Sequence, residues 1–335
     1  MNFTFLIGNG FDLNLGLNSG LSSFLDYYLS EGHNNSLSNE IKKDIKTWAN
    51  LEEQLGKYAG TIKEDDIEAF IKEKEELEAS LLRYLVEESK RKLAIDSAGM
   101  GEFRDKVIGF FTKLPHEEQE HYNMTQKKIP EAINYSFISF NYTPYLDKII
   151  DRARTINPFS THSCGTTNYH DFIKDPLHIH GTISEEMILG VNDESQIGSG
   201  SEIAKNNLSN YLVKPFINRA LGNQNMEQAH TIIDNSRYIC VYGMSLGNTD
   251  KHWWAYITDW LLKSPDNRLV LFMYDESGRS PIGSKAVRMQ EVIRRRFLAA
   301  AGKKDEYSKV SQKIIVRFNT DIFTFEHISL EGING

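Results

Sequence analysis

Two closely spaced glycines, Gly8 and Gly10, follow an apolar run that begins at Phe3, and a helical pattern follows them. Strand, glycine turn and helix in that order are the parts of a phosphate-binding loop. Without Cβ atoms the backbone N–H groups can approach an anion, and the first turn of the helix adds partial positive charge. Asn9 and Phe11 belong to the same turn, and Asp12 stands where the helix begins. The dinucleotide fingerprint G-x-G-x-x-G is incomplete, because Leu13 occupies the place of its third glycine and Gly16 comes too late. The region about 20 residues on, where a second strand would end in an acidic residue for a ribose, reads as helix. The alternative for Gly8 and Gly10 is a tight strand-to-helix turn without a ligand.

Three further strand ends carry polar or reactive groups. Tyr135 to Thr143 is β-rich and ends at Asn141, which a parallel α/β sheet would place at its carboxyl edge. Thr143-Pro144 starts a helix there, so a capping role competes. Leu177 to Ile183 alternates, and as a strand it puts His178 and His180 on one face. An H-x-H pair can hold a metal, but no third ligand stands at a recognisable spacing. The expectation is therefore no metal, with His180 either a catalytic base or a hydrogen-bonded structural histidine. Tyr238 to Tyr242 is continuously apolar and leaves through Gly243-Met244-Ser245-Leu246-Gly247, a second loop suited to a phosphate or ribose. Arg268 to Asp275 is the next buried strand, and Asp275 at its end is grouped with the cofactor-binding residues.

The elements that position these residues read as a doubly wound, mainly parallel α/β sheet with a large helical insertion after its first strand. Positions 19–133 read as helical without an interrupting strand, so the sheet domain comprises 1–18 and 134–335. The insertion is expected to pack over the site, with Trp48 and Leu51 facing the sheet domain. Asn157 to His170 reads as a loop, Ile188 to Asp193 as a short strand and Gly198 to Ser201 as a Gly/Ser rim. Trp253, Trp254 and Trp260 have the spacing of a core helix face, Arg294 to Arg296 that of a solvated one, and Ile314 to Asn319 closes the sheet.

Composition excludes several classes. With 38 basic and 46 acidic residues and a net charge of −8, the chain has no general attraction for nucleic acid or an anionic membrane. No apolar run has membrane-spanning length and no signal peptide is visible, so the expected location is cytoplasmic. Cys164 and Cys240 are far apart with no C-x-x-C partner, which excludes a cysteine-built zinc site or disulfide framework.

Taken together, the strand ends resemble the abortive-infection AbiH family of bacterial anti-phage proteins, whose members begin with a similar I-G-N-G-F-D-L-x-x-G-L. The resemblance continues through Trp48 with Leu51-Glu52, Phe140-Asn141-Tyr142-Thr143, His180-Gly181, Ile188-Leu189-Gly190, Tyr242 to Leu246, Asp250-Lys251 and Trp253-Trp254. In order and chemistry the same points are similar to the sirtuin-type NAD fold. That resemblance implies cofactor binding by Gly8, Asn9, Gly10, Phe11, Gly243, Met244 and Ser245, and chemistry at Asn141 and His180. Sirtuin zinc pairs are absent, and Tyr142-Thr143 stands where an aspartate would follow, so NAD cleavage rather than deacylation is what the resemblance implies. The expected activity is hydrolysis of the nicotinamide–ribose bond of NAD. Asn141 would orient water or ribose hydroxyls, His180 accept a proton and Asp12 stabilise positive charge. A nucleotide-sensing module without turnover is the alternative. A nuclease-type toxin using His178 and His180 ranks below both, lacking an acidic metal cluster and net basic charge. Self-association and a phage-derived trigger stay open as partners.

Overall fold

Strand β1 (Asn2–Ile7) is buried from Phe3 to Ile7 on both faces, which is what a continuous apolar run becomes at the centre of a parallel sheet. The structure, a computed structural model, describes residues 1–198, 202–276 and 282–331. After β1 come a short helix α1 (Gly10–Asn14) and five more, α2 (Leu21–Ser30), α3 (Ser36–Lys43), α4 (Ile45–Trp48), α5 (Leu51–Ala59) and α6 (Ile67–Glu88). Strand β2 (Leu93–Ile95) then precedes α7 (Ser97–Ile108) and α8 (His116–Gln126). The chain continues through β3 (Asn134–Ser139), α9 (Tyr145–Ala153), β4 (Ser160–Cys164), β5 (Thr167–His178), α10 (Glu202–Leu212), α11 (Lys214–Ala220) and α12 (Asn225–Asp234). It closes with β6 (Ser236–Tyr242), α13 (Lys251–Lys263), β7 (Arg268–Met273), α14 (Gly283–Ala300), α15 (Tyr307–Val310), β8 (Ile314–Phe318) and β9 (Ile328–Leu330).

Among the described residues the main sheet has seven strands in the order β4-β5-β3-β1-β6-β7-β8. All neighbours are parallel except the β4–β5 hairpin. From β1 the chain adds β3 and β5 on one side, then crosses to β6, β7 and β8 on the other. The loops leaving β1 and β6 therefore part at the carboxyl edge, where a crevice opens.

Three apolar cores organise the helices. One face of the sheet buries Phe3, Phe5, Phe11, Phe103, Phe110, Tyr122 and Phe323 together. The other buries Leu6, Ile239, Leu271, the tryptophans Trp253, Trp254 and Trp260, and Phe297. A third core belongs to the helical layer and joins Phe24, Trp48, Leu51, Leu55 and Leu81 to Leu189, Leu208 and Leu212.

Several expectations are corrected. The stretch 19–133 contains a strand, β2, which pairs antiparallel with β9 near the C-terminus. It also serves two cores: α2–α6 form the separate layer, whereas Phe103, Val107 and Phe110 of the following segment cover the sheet itself. Amphipathic spacing shows that a helix has a buried stripe and leaves open which core receives it. The expected loop Asn157 to His170 is mostly the β4–β5 hairpin, and the third parallel strand ends at His178, so His180 lies beyond it. Ile188 to Asp193 forms no strand, only a bridge between Val191 and Val213. Residues 199–201 of the expected Gly/Ser rim lie outside the described residues.

Candidate functional site

A cavity of about 420 Å³ lies at the carboxyl edge of the sheet. Its walls come from all four strand ends singled out above: Gly8 and Asn9 after β1, Phe140 to Thr143 after β3, His180 past β5, and Gly243 to Ser245 after β6. The helical layer closes it with Leu21, Asn50 to Glu53, Leu81 and Leu85, so the segment 19–133 does reach the site. Leu51 is on the wall, while Trp48 is buried in the core of the helical layer.

The first glycine turn is not an open phosphate cradle. Gly8 N–H donates to Tyr242 O at 2.9 Å, Gly10 N–H to Gly243 O at 2.9 Å, and Phe11 N–H to Gly8 O at 3.0 Å. A Cβ on Gly10 would stand 2.5 Å from Gly243 Cα, and one on Gly8 would stand 2.7 Å from Gly243 O. The glycines therefore let two strand-exit loops lie backbone against backbone, and the donors meant for an anion are already used. Gly243 itself has φ +71°, a left-handed turn that glycine adopts without strain. Among the described residues the N–H groups of Met244, Ser245 and Gly247 make no backbone hydrogen bond, which moves the free donors to the second loop.

Asn141 is buried, and neither atom of its carboxamide has a hydrogen bond of normal geometry. Its backbone is held from behind: His178 Nδ1 donates to Asn141 O at 2.9 Å while His178 Nε2 lies 3.0 Å from Asp147 Oδ2. Burial lowers the His178 pKa, but the Asp147 carboxylate outweighs it and the pKa is raised, which suits an imidazolium donating at both nitrogens. His178 thus positions the loop, with both ring nitrogens engaged by Asn141 and Asp147. Asp12 lies behind Thr143, whose hydroxyl donates to Asp12 Oδ2 at 2.6 Å, and its other oxygen is buried without a partner. Burial pushes Asp12 up to about 7, against the Thr143 hydroxyl and the Asn141 carboxamide, which pull the other way.

His180 belongs to a second cluster. Lys214, buried at the start of α11, bonds Glu52 Oε1 at 2.6 Å and His180 Nε2 at 3.2 Å. An ammonium can only donate, so the His180 lone pair at Nε2 is taken and the ring proton sits on Nδ1, which is buried without a partner. Burial and then Lys214 hold this imidazole well below its usual pKa. In this arrangement the Nε2 lone pair that a base at His180 would use is engaged by Lys214. Asp250, half-buried, completes the wall, and burial pushes its carboxyl up to about 7 with Lys214 opposing.

Other expected site residues stand elsewhere. Gly10 supports the wall from behind, and Phe11 packs into the core against Phe323, ring centroids 5.6 Å apart. Asp275 is tied to Asn319, whose carboxamide accepts from Asp275 N–H and donates to Asp275 O. Neither Asp12, Phe11 nor Asp275 lines the cavity. From the sequence, Glu52 and Asp250 are read only as parts of the family resemblance, without a place in the site, and Lys214 is missed. Lys214 had one signal, a lone cation between Leu212-Val213 and Phe216-Ile217. Among the described residues no group of three or more His, Cys, Asp or Glu side chains is placed to hold a metal ion, and no helix is long and apolar enough to cross a membrane.

No curated protein matches the chain. The family model for bacteriophage abortive infection AbiH matches residues 4–272, which run from β1 into β7 and include every strand end that lines the cavity. The chain therefore belongs to the bacteriophage abortive infection AbiH family.

Proposed function

We propose that this protein acts in abortive infection of phage-infected cells by binding NAD in the cavity and hydrolysing its nicotinamide–ribose bond, depleting the cofactor in the cytoplasm. The observation that carries the reading is the convergence of Gly8, Asn141, His180 and Gly243 on one cavity, with the Asn141 carboxamide buried in its wall. The strand order β5-β3-β1-β6-β7-β8 supports it, being the 3-2-1-4-5-6 order of doubly wound dinucleotide-binding sheets. The volume lies within the range of about 300–1,000 Å³ usual for small-molecule sites.

In this reading the second loop, Met244 to Gly247, takes the phosphates. Asn141 and the Nδ1–H of His180 orient the ribose hydroxyls and the attacking water. Cleavage passes through a ribosyl cation, which needs negative charge beside it. Glu52 on the cavity wall supplies that charge, the part that Asp12 is too deeply placed to play. Purified protein incubated with NAD should release free nicotinamide, and Glu52→Gln should abolish the release while NAD still binds. Binding without any nicotinamide release from the wild type would reject hydrolysis and leave a nucleotide sensor.

A further inference from the structure

Away from the cavity wall, His230 of α12 and His252 in the first turn of α13 face each other with their Nε2 atoms 3.1 Å apart. We propose that these two histidines form a binding site for one divalent transition-metal ion of borderline softness, such as zinc or nickel, with water in the remaining positions.

The separation suits a shared ion. With metal–nitrogen bonds of about 2.0–2.1 Å, two nitrogens at 3.1 Å subtend roughly 100° at a common centre, between the angles of octahedral and tetrahedral ions. Imidazole is the ligand type that zinc, copper and nickel share, whereas calcium and magnesium prefer oxygen.

The rings are also held before any ion arrives. His230 stacks on Tyr256 at 4.0 Å with the planes 14° apart, and both histidines pack against Trp253. Tyr256 is fixed in turn by its hydroxyl, which donates to Asp234 Oδ2, and Asp234 also receives Lys263 Nζ. The stacked His230 ring has little side-chain freedom left to lose on binding, which favours affinity from only two protein ligands. The charged groups around the pair are the carboxylates of Asp234 and Glu227 near His230, that of Asp193 near His252, and the Lys263 ammonium.

Without metal the two rings can share a single N–H···N bond. An ion replaces that bond by two coordinate bonds once each ring carries its proton on Nδ1, and acid removes the ion by protonating the rings. Because the ligands come from two helices, the ion clips α12 to α13.

The experiment uses tag-free full-length protein, stripped with a chelator and titrated with zinc chloride and, separately, nickel chloride by calorimetry. The expected result is one ion per chain, a raised melting temperature, and at least tenfold weaker binding in His230→Ala and in His252→Ala. His116→Ala, which alters an exposed histidine far from the pair, serves as the control and should bind as the wild type does. Circular dichroism establishes that the variants are folded, and a copper-loaded sample should show two nitrogen ligands by electron paramagnetic resonance, lost in the double variant. Equal binding by the wild type and the His230→Ala/His252→Ala double variant would overturn the site, as would no binding by the wild type.

Discussion

Lys214 Nζ lies 3.2 Å from His180 Nε2, and both side chains are buried at the meeting of the helical layer with the sheet. The contact decides the tautomer of His180, because the lysine donates and the ring must accept. It also joins the layers, since the same ammonium is bonded to Glu52 of α5.

Removing one member of that chain should be costly. Lys214→Met leaves the Glu52 carboxylate without its cation in a place largely shielded from water, and is expected to destabilise the protein by about 3 kcal/mol in urea unfolding. Adding Glu52→Gln removes the orphaned charge, so the double variant should recover part of the loss. A double variant less stable than the sum of the singles would contradict the pairing.

Asp12 should make stability depend on pH. Its pKa rises from 3.8 to about 7 on folding, so the folded state holds the proton more tightly than the unfolded one. The sign follows: its contribution is fully present below the unfolded pKa and is lost as pH rises through about 7. Asp12→Asn keeps an acceptor for the Thr143 hydroxyl and cannot ionise. Wild-type stability relative to Asp12→Asn should therefore fall between about pH 4 and pH 8, a difference readable as the shift in urea midpoint. A flat difference across that window would mean that Asp12 is ionised in the folded protein.

The glycines of the two exit loops should differ in tolerance from glycines elsewhere. Gly243→Ala combines a left-handed φ with a Cβ 2.8 Å from both Gly8 O and Phe11 N. Gly16 has φ +87° but nothing within 4 Å of its Cβ position. Gly16→Ala should cost about 1 kcal/mol from backbone strain alone, and Gly243→Ala clearly more, measured as loss of melting temperature. Equal losses would show that the loops can separate without penalty.

His180→Ala separates the functional readings. If its Nδ1–H orients the reacting groups, the variant should bind NAD and lose nicotinamide release by about 100-fold, the usual effect of deleting one positioned donor. A sensor would show altered affinity with no turnover to lose. A histidine that only satisfies Lys214 would show reduced stability with release unchanged.

Much of this architecture is legible in the residues alone, because the signals are local. The apolar runs at Phe3 to Ile7, Tyr238 to Tyr242 and Arg268 to Met273 can be buried only as central strands, and parallel strands bring their exits to one edge. That is why Gly8, Asn141, His180 and Gly243 could be named together, and why the AbiH-like opening motif was readable. The rest depends on contacts that sequence separation hides. Gly8 and Gly10 have the spacing of an anion loop, yet their N–H groups close onto Tyr242 and Gly243, more than two hundred positions away. Glu52 and Asp250 belong to separate stretches of the family resemblance and Lys214 to none, and the three become one cluster only when the helical layer seats over the sheet. Local propensity determined which segments are strands and helices. Tertiary packing decided which donors remain free, which carboxyls lose water and which lone pair is taken, because hydrogen bonding and desolvation depend on neighbours in space.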